Sequence, residues 1–326
     1  MARTSRRGLF AAGLSLPLAV PRLAEAQGGW PGARPIQIIV PFPPGGGTDI
    51  NIRAMASHFE RQLPGARFVV VNRPGAGGEI GYAATAAAAP DGYTIGTIIT
   101  PSLQTITIER QPRYRLEDFF YLGTVVEDPS GFHVAPNSPL RSVADLVAAA
   151  KERPASIAVG TAGIGSDDHL LMIELERAAG IRLNHIPFAG QAPTVNALVG
   201  GHIQVASMNM GESVALIRDG QVRALASAGP QRFGLTSDVP TFAESGYPLT
   251  TGVVRSLVLP VATPQPIQAR LARMLEATMR DPAWRAEAER LFIPLRYMGP
   301  DETRALVMRE AARLRSVWQE RPWTDS

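Results

Sequence analysis

Two short stretches of the chain gather the residue types that grip an anion. The first, "VPFPPGGGTDI" (residues 40–50), sets Gly45, Gly46 and Gly47 directly before Thr48 and Asp49. The second, "RPGAGGEIG" (73–81), repeats the pattern around Ala76, Gly77 and Gly78. Glycine lacks a Cβ, so backbone N–H groups can converge on a ligand, and a helix that starts behind such a turn adds partial positive charge. Taken singly, either stretch also reads as a plain tight turn with Thr48 or Asp49 as an N-cap. Two turns of the same kind, close together in the chain, favour the anion site.

Residues for covalent or metal chemistry are missing or badly spaced. Lys151, the only lysine, follows no glycine loop, so there is no Walker A arrangement, and its place on a surface helix argues against a Schiff base. No G-x-G-x-x-G follows the first apolar run and no G-x-S-x-G elbow exists, which disfavours an exported hydrolase. The five histidines (His58, His133, His169, His185 and His202) show no H-E-x-x-H spacing, the nearest pair being 16 residues apart. "GSDDHL" could offer Asp167, Asp168 and His169 to a metal, yet acids in the first turn of a helix are ordinary partners of its dipole. Cysteine is absent, which excludes disulfides, thiolate metal sites, a cysteine nucleophile and a lipid-anchored N-terminal cysteine. These absences argue against the obvious catalytic chemistries and against a metal site.

The elements that must position the glycine turns alternate. "PIQIIVPF" is an apolar run bounded by prolines, and "INIRAMASHFERQL" puts Ile52, Met55, Ala56, Phe59 and Leu63 on one helical face. "ARFVVVNRP" reads as a strand, "YAATAAAA" as a helix stopped by the Pro-Asp-Gly of residues 90–92, and "YTIGTIIT" as a strand. Strands and helices in this order build a parallel sheet covered by helices, whose ligands bind beyond the carboxyl ends of the strands. Both glycine turns fall there. After Pro136 the pattern restarts with a helix "VADLVAAAKE", a strand "SIAVGTAG", a helix holding Leu171, Leu175, Ala178 and Ala179, then "RLNHIPF" and a helix from Ala192. Two series predict two lobes. Near the C-terminus Ile267, Leu271, Met274, Leu275 and Thr278 share a helical face, and a last helix is expected from about Pro300 to Trp318.

The chain's 326 residues, 45% apolar and 19% charged, suit globular cores. Its N-terminus has the layout of an export signal over residues 1–26: a basic "MARTSRRGLF", an apolar "AAGLSLPLAV" and a small-x-small "AEA" at Ala24 to Ala26. Ser5-Arg6-Arg7 with Leu9-Phe10 fits a twin-arginine signal and also an ordinary secretory one. Without the leader, 28 basic and 28 acidic residues remain, which gives no electrostatic case for nucleic acid or an anionic membrane. No apolar run is long enough to span a bilayer. Export without an anchor points to the periplasm.

"IIVPFPPGGGTD", "VVVNRPGAGGEIG", "GTAGIGSDDHL" and "HIPFAGQAPTVNALVGGHIQV" occur in this order. Together they resemble the substrate-binding receptors of tripartite tricarboxylate transporters, the Bug family, from about Pro35 to the C-terminus. The resemblance implies an α/β periplasmic-binding-protein fold, type II-like, with two doubly wound lobes and a carboxylate held in the cleft between them. It groups residues 27–131 with 253–326 as one lobe and 132–252 as the other. It implies a monomer that serves membrane permease subunits; a sensor that reports to a membrane histidine kinase is the alternative. The family's glycine turns act as a pincer of backbone amides. On that pattern Phe42, Gly45, Gly46, Thr48 and Asp49 form one arm and Ala76, Gly77 and Gly78 the other, with Thr100 and Ser102 after the third strand. Thr161, Ala162, Ser166, His169, Gly190, Gln191, Ala192 and Asn209 approach from the second lobe, although capping or packing is an equally open role for His169.

Two departures from the family pattern bear on specificity. Where many relatives read "GGQVDxxF", this chain has "GGHIQVASMNMGES", so Met208, Asn209 and Met210 replace an acid and an aromatic. In the crossing segment "TTGVVRSLVLP", Arg255 stands where relatives carry an apolar or aromatic residue, and alternation sets it on one face with Val253 and Leu257. A buried guanidinium needs an acid beside it. That acid is either a second carboxylate of the ligand or a protein group in an ion pair that locks the hinge. For the pincer the expectation is direct: Gly46→Val or Gly77→Val should cost binding far more than stability, and a variant that folds and keeps wild-type affinity in a titration would overturn it.

Overall fold

The computed structural model describes residues 29–32, 34–320 and 322–325; the expected leader, and with it the choice of export route, lies outside the described residues. The chain begins with β1 (Ile36–Val40), α1 (Gly47–Gln62), β2 (Phe68–Asn72), α2 (Glu79–Ala86) and β3 (Thr94–Thr100). β1 lies between β2 and β3 and is parallel to both. β3 is buried along its whole length, which is why it reads as an unbroken apolar and threonine run. The predicted face of α1 packs inward, with Ile52, Met55, Phe59 and Leu63 buried and Ala56 half-buried. Helix α3 (Ser102–Glu109) then leads to β4 (Phe119–Val134), a strand of 16 residues.

The second series holds α4 (Val143–Glu152), β5 (Ala158–Thr161), α5 (Asp167–Ala179), β6 (Asn184–Pro187), α6 (Gln191–Val199), β7 (Val205–Asn209), α7 (Met210–Arg218) and β8 (Arg223–Ser227). The chain returns along β9 (Gly252–Pro260) and finishes with α8 (Gln265–Arg280), α9 (Pro282–Arg290), β10 (Leu295–Met298) and α10 (Pro300–Glu320). Among the described residues the strands run in the order β2-β1-β3-β9-β4-β7-β5-β6, and β10 and β8 also pair with β4. The first half of β4 therefore belongs to one lobe's sheet and its last residues to the other's. β9 lies antiparallel beside it from Phe119↔Pro260 to Pro129↔Gly252. These two strands are the connections between lobes, and the expected α/β, two-lobed fold is present.

A row of buried hydroxyls fastens the crossing: Thr124 Oγ1 lies 2.9 Å from Ser256 Oγ and 3.1 Å from Thr303 Oγ1 of α10. Helix α10 itself serves both lobes. Val307 and Ala311 pack with Ile98, Leu103 and Tyr121, whereas Leu314, one turn on, packs in the second lobe's core with Phe132, Leu170 and Leu171. The grouping of all of 253–326 with the first lobe thus misses the end of α10. Among the described residues no helix is long and apolar enough to cross a membrane. Because Leu314 is fully buried at this junction, Leu314→Ala is expected to cost about 2–5 kcal/mol, the usual range for a core leucine, in urea unfolding followed by tryptophan fluorescence.

Candidate functional site

The C-terminal ends of β1, β5 and β7 and the helix starts that follow them face one another across a cleft. In the first arm, the prolines after β1 end the ladder and Gly46 becomes the N-cap of α1. Phe42, Gly46 and Thr48 line the cleft. Gly45 and Asp49 do not. Asp49 instead braces the turn: its carboxylate accepts from Gly45 N at 3.0 Å, Arg53 Nε at 2.9 Å and Asn72 Nδ2 at 2.8 Å. Burial opposes the Asp49 charge, but the bonds from Arg53, Gly45 and Asn72 outweigh it and hold the carboxyl below its ordinary range. A Cβ added at Gly46 would meet nothing closer than Pro43 O at 3.9 Å.

In the second arm only Gly77 reaches the inner cleft; Ala76 and Gly78 line its outer mouth. Gly77 sits at φ +69, in the left-handed region, so valine there strains the backbone as well as filling the cleft. Ser102, at the start of α3, lines the cleft, whereas Thr100 turns its hydroxyl to Gln104 Nε2 at 3.1 Å.

The second lobe contributes Ala162, Ser166, Gly190, Gln191 and Asn209 to the lining. Ser166 caps α5, accepting from His169 N at 3.3 Å and donating to Gly163 O at 2.8 Å. Thr161 is buried with its hydroxyl 2.7 Å from His185 Nε2, and Ala192 faces an adjoining groove. His169 also lies behind the lining: its Nδ1 accepts from Gly165 N at 3.2 Å, and its ring stacks on His185 with centroids 3.8 Å apart. Burial, reinforced by His185, lowers the His169 pKa to about 3, and burial alone lowers His185 to about 4, so both rings are neutral at pH 7. Packing and capping account for His169.

Arg255 lines the cleft wall, but its guanidinium already has protein partners. Its Nη2 is paired with Glu212 Oε1 and lies 3.4 Å from Asn209 Oδ1, its Nε donates to Thr48 Oγ1 at 3.2 Å, and Asp128 Oδ2 stands 3.8 Å from Nη1. An acid beside Arg255 is thus supplied by the protein, while Nη1 makes no hydrogen bond among the described residues.

The lining residues not anticipated as ligand contacts include Gly47, Asp167, Asp168 and Glu212. Asp167 accepts from Ser130 Oγ and Asn209 Nδ2, each at 2.7 Å; Asp168 accepts from Ser207 Oγ at 3.2 Å and Ala162 N at 3.3 Å. The rule that located the glycine turns also covers Glu212, which follows β7 in the first turn of α7. With Asp128, these acids crowd one arginine. Burial raises the pKa of all four, Asp128 to about 7 and Asp168 well above the ordinary value, and Asp167 and Glu212 push Asp168 further. Among the described residues no group of three or more histidines or acids is placed to hold a metal ion.

Two α/β lobes on a shared pair of strands, with helix starts converging on the cleft between them, define a periplasmic-binding-protein fold, the architecture of solute receptors. The chain belongs to the tripartite tricarboxylate transporter receptor family, TctC, whose family pattern matches residues 52–322. It is 35% identical to protein BugT of Bordetella pertussis over 293 residues, 88% of this chain and 89% of BugT. Among solved structures, it is similar to the periplasmic binding protein BugD, at 29% identity and a TM-score of 0.81, over 88% of this chain and 97% of BugD. It is also similar to R. palustris Rpa4515 with adipate, at 28% identity and a TM-score of 0.83, over 89% of this chain and 97% of that one.

The acid cluster predicts a pH dependence. With a folded-state pKa of about 7 against an ordinary 3.8, Asp128 keeps a proton that the unfolded chain has already released. That stabilisation is complete below the unfolded pKa and is lost as pH rises through the folded one. Asp128→Asn cannot ionise and still offers an oxygen to Gly211 N. Its melting temperature relative to wild type should therefore climb between about pH 4 and about pH 8, measured in paired thermal melts; parallel curves would contradict the assignment.

Proposed function

We propose that this protein captures a small carboxylate between its lobes in the periplasm and delivers it to the permease of a tripartite tricarboxylate transporter. The observation that carries the reading is the convergence of four helix N-caps on one cleft: Gly46 of α1, Ser166 of α5, Gly190 of α6 and Asn209 of α7. Unpaired N–H groups and the aligned peptide dipoles make each helix start a site for negative charge. Two of the four are met by acids of their own first turn, Asp167 and Asp168 on α5 and Glu212 on α7. The start of α6, with the Gly77 turn opposite, remains for a ligand, and the start of α1 is shared with Glu212. The adipate held by Rpa4515 supports a carboxylate as the guest.

The two lobes, with the end of α10 packed on the second, serve as the two jaws, hinged on β4 and β9. A ligand that touches both shifts the population toward the closed form, which the permease then meets. The reading needs no catalysis, cofactor, metal or second copy of the chain. Its test is a thermal-shift screen of carboxylic acids against their amides. A matching acid at about 100 times its Kd adds about 2.7 kcal/mol to stability and raises the melting temperature, while its amide does not. Equal shifts with acid and amide would remove the carboxylate from the reading.

A further inference from the structure

Glu212 holds a place that a ligand group would otherwise take. It starts in the second lobe, on α7, and its carboxylate lies against the first residue of α1 in the other lobe: a Cβ added to Gly47 would stand 2.0 Å from Glu212 Oε1. The same oxygen pairs with Nη2 of Arg255, among the described residues the only basic one lining the inner cleft. One internal carboxylate thus sits at a helix start and on the cleft's cation together. Asp167 and Asp168 line the same cavity and Asp128 Oδ2 stands 3.8 Å from Nη1, so acids outnumber the single arginine here.

We propose that Glu212 determines specificity by standing in for a second ligand carboxylate, so that the cleft accepts an acid whose far end donates hydrogen bonds and rejects one that ends in another carboxylate. The inference rests on the carboxylate-receptor reading above and deepens it. A second ligand carboxylate would meet three cleft-lining acids and one arginine already paired. An ammonium or amide group in the same position finds lone pairs on all three. The chain then departs from relatives of the Rpa4515 kind, which holds a diacid.

The test compares adipate with 6-aminohexanoate, equal in length and different only in the charge of the far end, by titration calorimetry on wild type and Glu212→Gln. Wild type is expected to bind 6-aminohexanoate about tenfold or more tightly than adipate, the low end of what an unfavourable charge pairing costs. Glu212→Gln, whose amide oxygen can still accept from Arg255, should shrink that ratio by about fivefold or more, mainly through tighter adipate. Adipate binding as well as 6-aminohexanoate in wild type overturns the role of Glu212 and leaves the receptor reading standing, and this comparison decides even if the variant misfolds. A ratio unchanged in a folded variant overturns it too. If neither acid binds either protein, the receptor reading falls and this inference with it.

Discussion

Buried backbone N–H and C=O groups must be paired, and β4 meets that demand along its 16 residues by bonding to β9 and β10 in one lobe and to β7 and β8 in the other. Both sheets hang on this strand. The register that follows also sets the chemistry of the hinge. Val126 lies opposite Arg255, and Asp128 opposite Val253, so an arginine and an acid two residues further along the neighbouring strand are fixed beside each other before any ligand arrives. The cleft is therefore built around a charge pair that the ladder itself positions.

The charges around that pair are unequal in number. Asp128, Asp167, Asp168 and Glu212 face a single guanidinium, and burial disfavours every one of the four ionised forms. Helix starts compensate in part: the acids on α5 and α7 belong to first turns, where the aligned peptide groups favour negative charge. Glu212, in direct contact with Arg255, is the member best placed to stay ionised. A site that binds anions at one side can thus be rich in acids at the other, because backbone dipoles supply the positive potential that side chains do not.

Much of this was legible in the residues. Glycine turns ahead of amphipathic helices marked the two arms, and apolar periodicity marked the parallel strands and the faces of α1 and α8. Arg255 stood out as a charge in an apolar segment. What stayed hidden depended on distant contacts. "EDPSGFHV", with Pro129 and Gly131 in it, carries no clear strand pattern, yet it is the second half of β4, held by the strands on either side. Asp49 looked like a ligand contact because sequence does not reveal which way a first-turn acid points. It turns to Asn72, 23 residues on. Glu212 lacked a motif of its own, and its partner Gly47, read only as part of a turn, lies in the other lobe.

Helix α10 carries a consequence for how the lobes part. One rigid rod is anchored in two cores, by Val307 and Ala311 in the first and by Leu314 in the second. If α10 stays straight and fixed to the first lobe, any wide opening pulls Leu314 from its seat and wets apolar surface. The open form would then carry a larger heat capacity than the closed one, and cold would ease the jaws apart by weakening the cost of that exposure.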